Sequence, residues 1–178
     1  MSTCEWSAPT TTVGPAAVEA ELPAGAFDVI AYSLGARLAW ELPGATPRVR
    51  RMVLGGISPR EPFGAIDAAA LREVLAGGEP ADPLTGQIGA MIAAPGRDTE
   101  SLIEVIRGLA AEPFDPREAA PRIPVLLVAG RDDVVAQGIE ELAGLLPHGE
   151  LQRVPGDHRV ALTGPELRDA ALDFLGRD

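Results

Sequence analysis

The sequence predicts an α/β fold in which helices flank a parallel sheet and a helical cap is inserted between two of the strands. A strand pattern, a helix pattern and a second strand pattern follow one another over residues 27–57, which is typical of a right-handed crossover unit. Apolar runs such as Met52-Val53-Leu54 do not alternate with polar residues, as expected for strands that are covered on both faces. Between residues 58 and 122 the strand signal disappears, which leaves room for the cap.

The part of the chain before the cap contains four predicted elements. They are a short helix over residues 15–22, a strand over 27–32, a helix from Leu34 to Leu42 and a strand over 52–57. Pro15 suits the first turn of the first helix, whereas Pro43-Gly44 is expected to end the second. Leucine at positions 34, 38 and 42 gives this second helix one apolar stripe.

The cap and the second half of the sheet follow. The predicted elements are helices over 67–76 and 99–110, a strand over 125–129, a helix around 139–146, a strand over 151–154 and a last helix after 163. Leu102, Ile106 and Leu109 form an apolar stripe in the cap, which we expect to serve packing rather than substrate contact. Residues 163–166 read as a capping box at the start of the last helix.

Composition and charge limit the classes of partner. The formal net charge of −11 makes nucleic acid an unfavourable partner, because its phosphates would be repelled, and leaves no basic face for an anionic membrane. Cys4 is the single cysteine, so no disulfide can form within the chain. Residues 1–13 lack the pattern of a secretory signal and are expected to be a flexible tail before one domain over 14–178. We therefore expect a cytoplasmic protein.

One serine lies where the first predicted strand turns into a helix. Ser33 follows the apolar strand and is flanked two positions away by Ala31 and Gly35. A sharp strand-to-helix turn lifts the hydroxyl clear of the backbone, and small flanking residues let the strand and the helix come close. The pattern indicates a serine that is presented as a nucleophile.

An acid and a histidine follow at the ends of later predicted strands. Asp132 and Asp133 lie in the loop after residues 125–129, and His158 lies after residues 151–154. The carboxyl ends of parallel strands lie at one rim of a sheet, so these side chains can converge on Ser33. A serine hydroxyl needs a base to take its proton and an acid to orient that base. His158 and an aspartate, with Asp133 preferred, complete such a set.

Each of these residues also has a simpler interpretation. A serine at this kind of junction is often a helix cap, and acids or a histidine in loops are often ordinary solvated residues. Asp132 remains an alternative acid, and Asp157 is a fallback because neighbouring side chains usually diverge from each other. His148 lies in an ordinary helix-to-strand turn, so His158 is the better candidate base.

Two further assignments are excluded. Asp28 lies at the other end of the first predicted strand from Ser33, too far away to take part. Two histidines, one cysteine and scattered carboxylates show no metal-ligand spacing, so we predict neither a metal nor another cofactor.

Together these motifs resemble the α/β-hydrolase fold family. The resemblance rests on Ala31-Tyr32-Ser33-Leu34-Gly35 and on the segments 49–54, 125–133 and 154–158, and it covers roughly residues 15–178. It implies that Ser33 is the nucleophile, His158 the base, Asp133 the acid and the backbone N–H of Leu34 one oxyanion donor. Residues 60 to 118 correspond to the variable cap of the family.

The chain departs from the family pattern in two places. Ala31 stands where the family usually has glycine. Only 32 residues precede Ser33, whereas family members normally have several strands there and a His-Gly-type loop that supplies the second oxyanion donor. The sequence therefore predicts an N-terminally shortened fold whose first strand has an open apolar edge. We expect a homodimer through that edge, or a shortened product of a longer hydrolase.

The leading functional hypothesis is a serine hydrolase that acts on an ester or related acyl bond of a small molecule through an acyl-enzyme. The alternative is a catalytically weak or silent member that serves as a binding or interaction protein. Acyl transfer on the same three residues is not separable from hydrolysis by sequence.

Overall fold

Four parallel strands form the central sheet. The computed structural model describes residues 22–60, 63–112 and 114–177. The strands are β1 (Phe27–Tyr32), β2 (Val49–Gly55), β3 (Val125–Gly130) and β4 (Gly149–Val154). They pair in the order β1-β2-β3-β4, and every pair is parallel. The predicted α/β class with a parallel sheet is confirmed.

Helices occupy most of the remaining described chain. They are α1 (Leu34–Trp40), α2 (Leu42–Ala45), α3 (Ala68–Leu75), α4 (Pro83–Ile92), α5 (Thr99–Ala111), α6 (Ile139–Leu145), α7 (His158–Thr163) and α8 (Pro165–Leu175), with a 3₁₀ turn at Phe63–Ala65. None of these helices is long and apolar enough to cross a membrane.

Helices cover both faces of the sheet because successive strand residues point to opposite sides. Met52 and Leu54 of β2 pack in a buried cluster with α1 and α6. Val53, between them, packs in a second cluster with α7 and α8. All six residues of β3 are buried, as its continuous apolar sequence requires. Because all four strands are parallel, their carboxyl ends lie at a common rim.

The segment between β2 and β3 contains no strand among its described residues. The helices α3, α4 and α5 bury their own apolar cluster, which is separate from the two sheet clusters and includes Leu71, Ile92, Ile103 and Ile106. We call the described residues 63–112 the cap. The predicted cap bounds of 60 to 118 stay a prediction. An independent core of this kind lets the cap keep its shape above the rim of the sheet.

Two side chains of α1 tie the end of the cap to the sheet layer. The guanidinium of Arg37 donates hydrogen bonds to the carbonyl oxygens of Leu109, at 3.3 Å, and Glu112, at 2.8 Å. The indole N–H of Trp40 donates to the carbonyl oxygen of Pro116 at 3.2 Å. The helix that follows Ser33 therefore also anchors the chain where it leaves the cap.

Several element bounds differ from the prediction. β2 covers 49–55 rather than 52–57, and β4 begins at Gly149 rather than at 151. The predicted helix from Leu34 to Leu42 is two helices that meet at Glu41. Pro43 lies in the first turn of α2, where its missing N–H has no intrahelical partner to lose, so it starts a helix instead of ending one. The predicted tail over 1–13 and most of the helix over 15–22 lie outside the described residues.

The sequence did not predict α4 or α7. In α4 two glycines resemble a joint, but Asp82 caps the helix by accepting a hydrogen bond from the N–H of Thr85 at 2.9 Å. A Cβ at Gly89 would lie 2.8 Å from Cγ1 of Val74, so glycine here permits the close packing of α3 and α4. Tertiary packing thus overrides the low helix propensity of glycine.

The predicted capping box at 163–166 is wrong. Thr163 is the last residue of α7, and its hydroxyl donates to the carbonyl oxygen of Arg159 at 2.9 Å. The N-cap of α8 is Gly164, which has no side chain to accept a capping hydrogen bond. Two helices meet at this point, so the hydroxyl is already engaged by the first of them.

β1 lies at one end of the sheet and pairs only with β2 in the part of the chain that the structure describes. Ile30 on this strand is 57% exposed, in agreement with an apolar edge. The homodimer through that edge stays a prediction.

Trp40 provides a test of the tie between α1 and the end of the cap. The ring is fully buried and meets Phe114 edge-on at a centroid distance of 6.0 Å. Trp40→Phe keeps an aromatic ring but leaves the Pro116 carbonyl without its donor, so we expect a loss of about 1–3 kcal/mol in the free energy of unfolding. Urea denaturation measures this loss. The control Leu172→Ala, at a side chain that is 62% exposed, should change stability far less, and equal losses would contradict the role of the hydrogen bond.

Candidate active site

Ser33 occupies a strained turn between β1 and α1. Its φ of 55° and ψ of −123° make it the one non-glycine residue with positive φ in the described part of the chain. Its N–H donates to the carbonyl oxygen of Gly55 at 2.8 Å, and its own carbonyl accepts from the N–H of Arg37 at 3.1 Å. The side chain makes no capping hydrogen bond to α1, so the simpler interpretation as a helix cap is wrong. The hydroxyl is left facing the rim of the sheet.

A chain of hydrogen bonds joins Ser33 to the two other predicted residues. The Ser33 Oγ lies 3.0 Å from Nε2 of His158. The Nδ1 of His158 lies 2.9 Å from Oδ2 and 3.1 Å from Oδ1 of Asp133. When Nδ1 carries the proton and donates it to the carboxylate, Nε2 presents a lone pair to the serine hydroxyl. Residues 125 and 25 positions apart thus form one connected group.

The Asp133 carboxylate is buried and heavily hydrogen-bonded. The residue is 5% exposed, and Oδ1 accepts from the backbone N–H groups of Val135, at 2.9 Å, and Ala136, at 3.1 Å. Burial acts to raise the pKa of this carboxyl, but the hydrogen bond and charge of His158 and the two N–H groups outweigh it, so that the pKa is lowered. The acid is therefore held ionised beside the histidine.

The structure also places the alternatives. Asp132 is exposed, whereas Asp157 caps α7 by accepting from the N–H groups of Arg159 and Val160. Asp28 forms an ion pair with Arg50 at 2.6 Å, and His148 is exposed in the turn before β4. None of these four residues joins the group, in which Asp133 is bonded to His158 and His158 to Ser33.

Tyr32 is a neighbour of the site that the sequence analysis missed. Its hydroxyl donates to the backbone carbonyl of His158 at 2.9 Å, and its ring lies 5.0 Å from the imidazole, centroid to centroid. Burial, then the charge of Asp133, raises the pKa of Tyr32, which keeps the hydroxyl protonated as a donor. The contact holds the backbone of His158 in place. In the sequence, the signal that could have identified Tyr32 is its position directly before the candidate nucleophile.

Crowding around the histidine requires glycine at two positions beyond the pair that flanks Ser33. A Cβ at Gly35 would lie 3.9 Å from Cβ of Ala31, which is an ordinary contact, so the two flanking residues are neighbours where the strand and the helix meet, and alanine would also fit at 35. At Gly56, with φ of +62°, a Cβ would lie 2.7 Å from Cε1 of His158. At Gly130 a Cβ would overlap the carbonyl oxygen of Gly156. The crowding therefore lies around the histidine.

A cavity of about 370 Å³ opens onto this group, between the cap and the rim of the sheet. Ser33 and His158 form part of its wall. So do Leu102 and Ile106 of the stripe that we expected to serve packing, and both also pack in the apolar cluster of the cap. The volume is typical of a site for a small ligand.

Leu34 also lines this cavity. Its backbone N–H is the first of α1, and in the described part of the chain it has no hydrogen-bond partner. The described residues contain no group of three or more His, Cys, Asp or Glu side chains that could hold a metal ion.

Comparisons place the fold among known structures. No protein-family model matches the chain, and no curated protein matches it. A hydrolase from Pseudomonas aeruginosa PA01 superposes with a TM-score of 0.66 and 24% identity over 91% of this chain and 69% of its own. An alpha/beta hydrolase enzyme from a Medee basin deep-sea metagenome library superposes with a TM-score of 0.59 and 18% identity, over 92% of this chain and 69% of that enzyme. The enol-lactonase from Burkholderia xenovorans LB400 superposes with a TM-score of 0.61 and 20% identity, over 86% of this chain and 66% of the lactonase.

The lowered pKa of Asp133 predicts how stability depends on pH. An unfolded aspartate has a pKa of about 3.9, so the contribution of Asp133 to stability is fully present above that pH. The contribution is lost as the pH falls through the lowered pKa of the folded state. We expect Asp133→Asn to be less stable than the natural protein at neutral pH, with a difference that shrinks below about pH 4.

Urea unfolding across this pH range measures the difference. Asp132→Asn, at the exposed neighbouring position, is the matched control. A stability gap between the natural protein and Asp133→Asn that stays constant down to the acid limit would contradict the prediction.

The strained backbone at Ser33 predicts that glycine at this position is more stable than alanine, the reverse of the usual order in a helix. Both Ser33→Gly and Ser33→Ala remove the hydroxyl, but only glycine adopts positive φ without strain. A non-glycine residue in a sparsely populated region costs roughly 1–3 kcal/mol and glycine loses about 0.5–1 kcal/mol in entropy, so Ser33→Gly should be more stable by about 1 kcal/mol.

Position 35 gives the internal control, since it lies in α1 with space for a Cβ. There alanine should be more stable than glycine by roughly 1 kcal/mol. Denaturant unfolding compares the two pairs, and the same order at both positions would argue against strain at Ser33.

Proposed function

We propose that this chain, which has the α/β-hydrolase fold, is a serine hydrolase that acts on an ester or related acyl bond through an acyl-enzyme. The observation that carries the proposal is the hydrogen-bond chain from Asp133 through His158 to the Ser33 hydroxyl, with that hydroxyl at the wall of a ligand-sized cavity. A buried acid, a histidine and a serine in this arrangement are what nucleophilic acyl chemistry requires. The fold neighbours named as hydrolases are in agreement.

In the first half of the reaction, Ser33 is acylated. The Nε2 of His158 takes the hydroxyl proton while Oγ attacks the carbonyl carbon of the substrate. The carbonyl oxygen becomes an oxyanion that the N–H of Leu34 stabilises. When the tetrahedral intermediate collapses, the bond to the leaving alkoxide breaks and His158 returns the proton to it. The acyl group remains on Ser33.

In the second half, water replaces the alcohol. His158 takes a proton from a water molecule, whose oxygen attacks the acyl carbon and forms a second oxyanion. Collapse breaks the bond to Oγ, His158 protonates the Ser33 oxygen, and a carboxylic acid leaves. The proton count closes, so no co-reactant is needed beyond water.

Asp133 and Tyr32 act on His158 from two sides. The Asp133 carboxylate fixes the tautomer with the proton on Nδ1 and stabilises the imidazolium that forms in each half-reaction. The Tyr32 hydroxyl holds the His158 carbonyl, which makes Tyr32 a positioning residue for the base. Together they restrict the ring to the orientation in which Nε2 faces Ser33.

A fluorophosphonate probe tests the proposal. An activated serine displaces fluoride and is phosphonylated, which adds the mass of one probe less HF to the intact protein. We expect complete labelling of the natural protein and none of Ser33→Ala. Ser101→Ala is the matched control, because Ser101 lies in the first turn of α5 and its hydroxyl is bonded to Asp98 at 2.8 Å; it should label like the natural protein.

Loss of the base should slow the same reaction. We expect His158→Gln to label at least 100-fold more slowly, in line with the 10²–10⁴-fold that general base catalysis supplies. A folded natural protein that stays unlabelled would contradict the proposal and favour the binding-protein alternative.

A further inference from the structure

The charge of the cavity wall is opposite to that of the molecule. Acidic residues outnumber basic ones in the chain by 26 to 15. Yet no acidic residue is found among the described residues that line the cavity, whereas three arginines are: Arg37, Arg60 and Arg97. A basic wall in an acidic protein favours an anion inside the cavity by focusing the local potential.

The three arginines have different surroundings. Arg37 is engaged by the carbonyl oxygens of Leu109 and Glu112 and lies over the rings of Phe63 and Phe114, so it serves the packing of the cap. The side chains of Arg60 and Arg97 form no hydrogen bond or ion pair with any other residue in the described part of the chain. Their guanidinium groups keep their donors for a ligand.

Arg60 and Arg97 reach the cavity from two separate segments of the chain. Arg60 follows β2, on the sheet side, and Arg97 lies in the loop between α4 and α5, on the cap side. A planar guanidinium fork matches the two oxygens of a carboxylate. An anionic group in the cavity can therefore be bound by a guanidinium from either segment.

The rest of the wall is mostly apolar. Leu84, Ile88 and Met91 of α4 and Val105 of α5 face the same space. Burying a hydrocarbon body against these side chains is favourable, whereas a second charged group would find no partner there. The wall thus suits a molecule with one apolar part and one anionic end.

We propose that the substrate carries a carboxylate, separate from the bond that is cleaved, and that Arg60 and Arg97 bind it at the cavity. This inference rests on the proposed function for the identity of the ligand as a substrate. The binding of the anion itself depends on the two arginines and not on Ser33.

Two pairs of isosteric esters test the inference by equilibrium binding. In the first pair the charge is on the acyl side: mono-4-nitrophenyl glutarate against 4-nitrophenyl 5-methylhexanoate. In the second it is on the alcohol side: 4-carboxyphenyl butyrate against 4-isopropylphenyl butyrate. Calorimetric titration into Ser33→Ala measures affinity without turnover. We expect the anionic member of at least one pair to bind about tenfold more tightly, and less so as salt is added.

Arginine variants assign the preference to its source. On the Ser33→Ala background, Arg60→Gln with Arg97→Gln should abolish the preference for the anionic ester. Arg168→Gln removes one positive charge from α8, where Arg168 is paired with Asp169, and should leave the preference intact. With the natural protein, the same preference should appear as a tenfold difference in kcat/KM, mostly through KM.

The outcomes separate this inference from the proposed function. Anionic esters that bind no better than their isosteres in both pairs, or do not bind, overturn it, and so does a preference that survives the double arginine variant. Absence of fluorophosphonate labelling overturns the hydrolase proposal alone. The calorimetric titrations still determine whether Arg60 and Arg97 bind a carboxylate.

Discussion

The candidate site depends on the close backbone contact between the loops that follow β3 and β4. The N–H of Arg131 donates to the carbonyl of Val154 at 2.9 Å, and the N–H of Asp132 donates to that of Gly156 at 3.1 Å. Gly130 allows this approach because a side chain there would overlap the Gly156 carbonyl. The two loops carry the acid and the histidine, so their spacing is determined by backbone hydrogen bonds and not by the two side chains alone.

The cap adds a second constraint at the other end of the site. α1 begins directly after Ser33 and carries both Arg37 and Trp40, whose hydrogen bonds hold the end of the cap. The helix that positions the serine is therefore also the helix on which the cap rests. Because the cap has its own apolar cluster, its shape does not depend on filling the cavity with side chains, and the space above Ser33 is left for a ligand.

The sequence predicted the parallel sheet and the residues that meet at its rim because both follow from local order: apolar runs mark buried strands, and parallel strands end on one side. It could not separate Asp133 from Asp132, since that choice depends on which carboxylate reaches the N–H groups of Val135 and Ala136. Helix α4 was missed because its glycines are explained only by the contact with Val74. The arginines at the cavity come from segments far apart in sequence, which no local pattern relates.

The packing of Tyr32 has a consequence for substitutions at the site. The ring occupies the space where side chains at Gly55 and Gly56 would lie, while its hydroxyl reaches the histidine backbone. Positions 32, 55 and 56 are therefore sterically coupled: the tyrosine ring at 32 fits only because 55 and 56 are glycines. Engineering around the histidine must therefore treat the three positions together. A larger residue at 55 becomes possible only after the tyrosine is made smaller, and the hold on the histidine is lost with it; at 56 the imidazole and the positive φ exclude a larger residue even then.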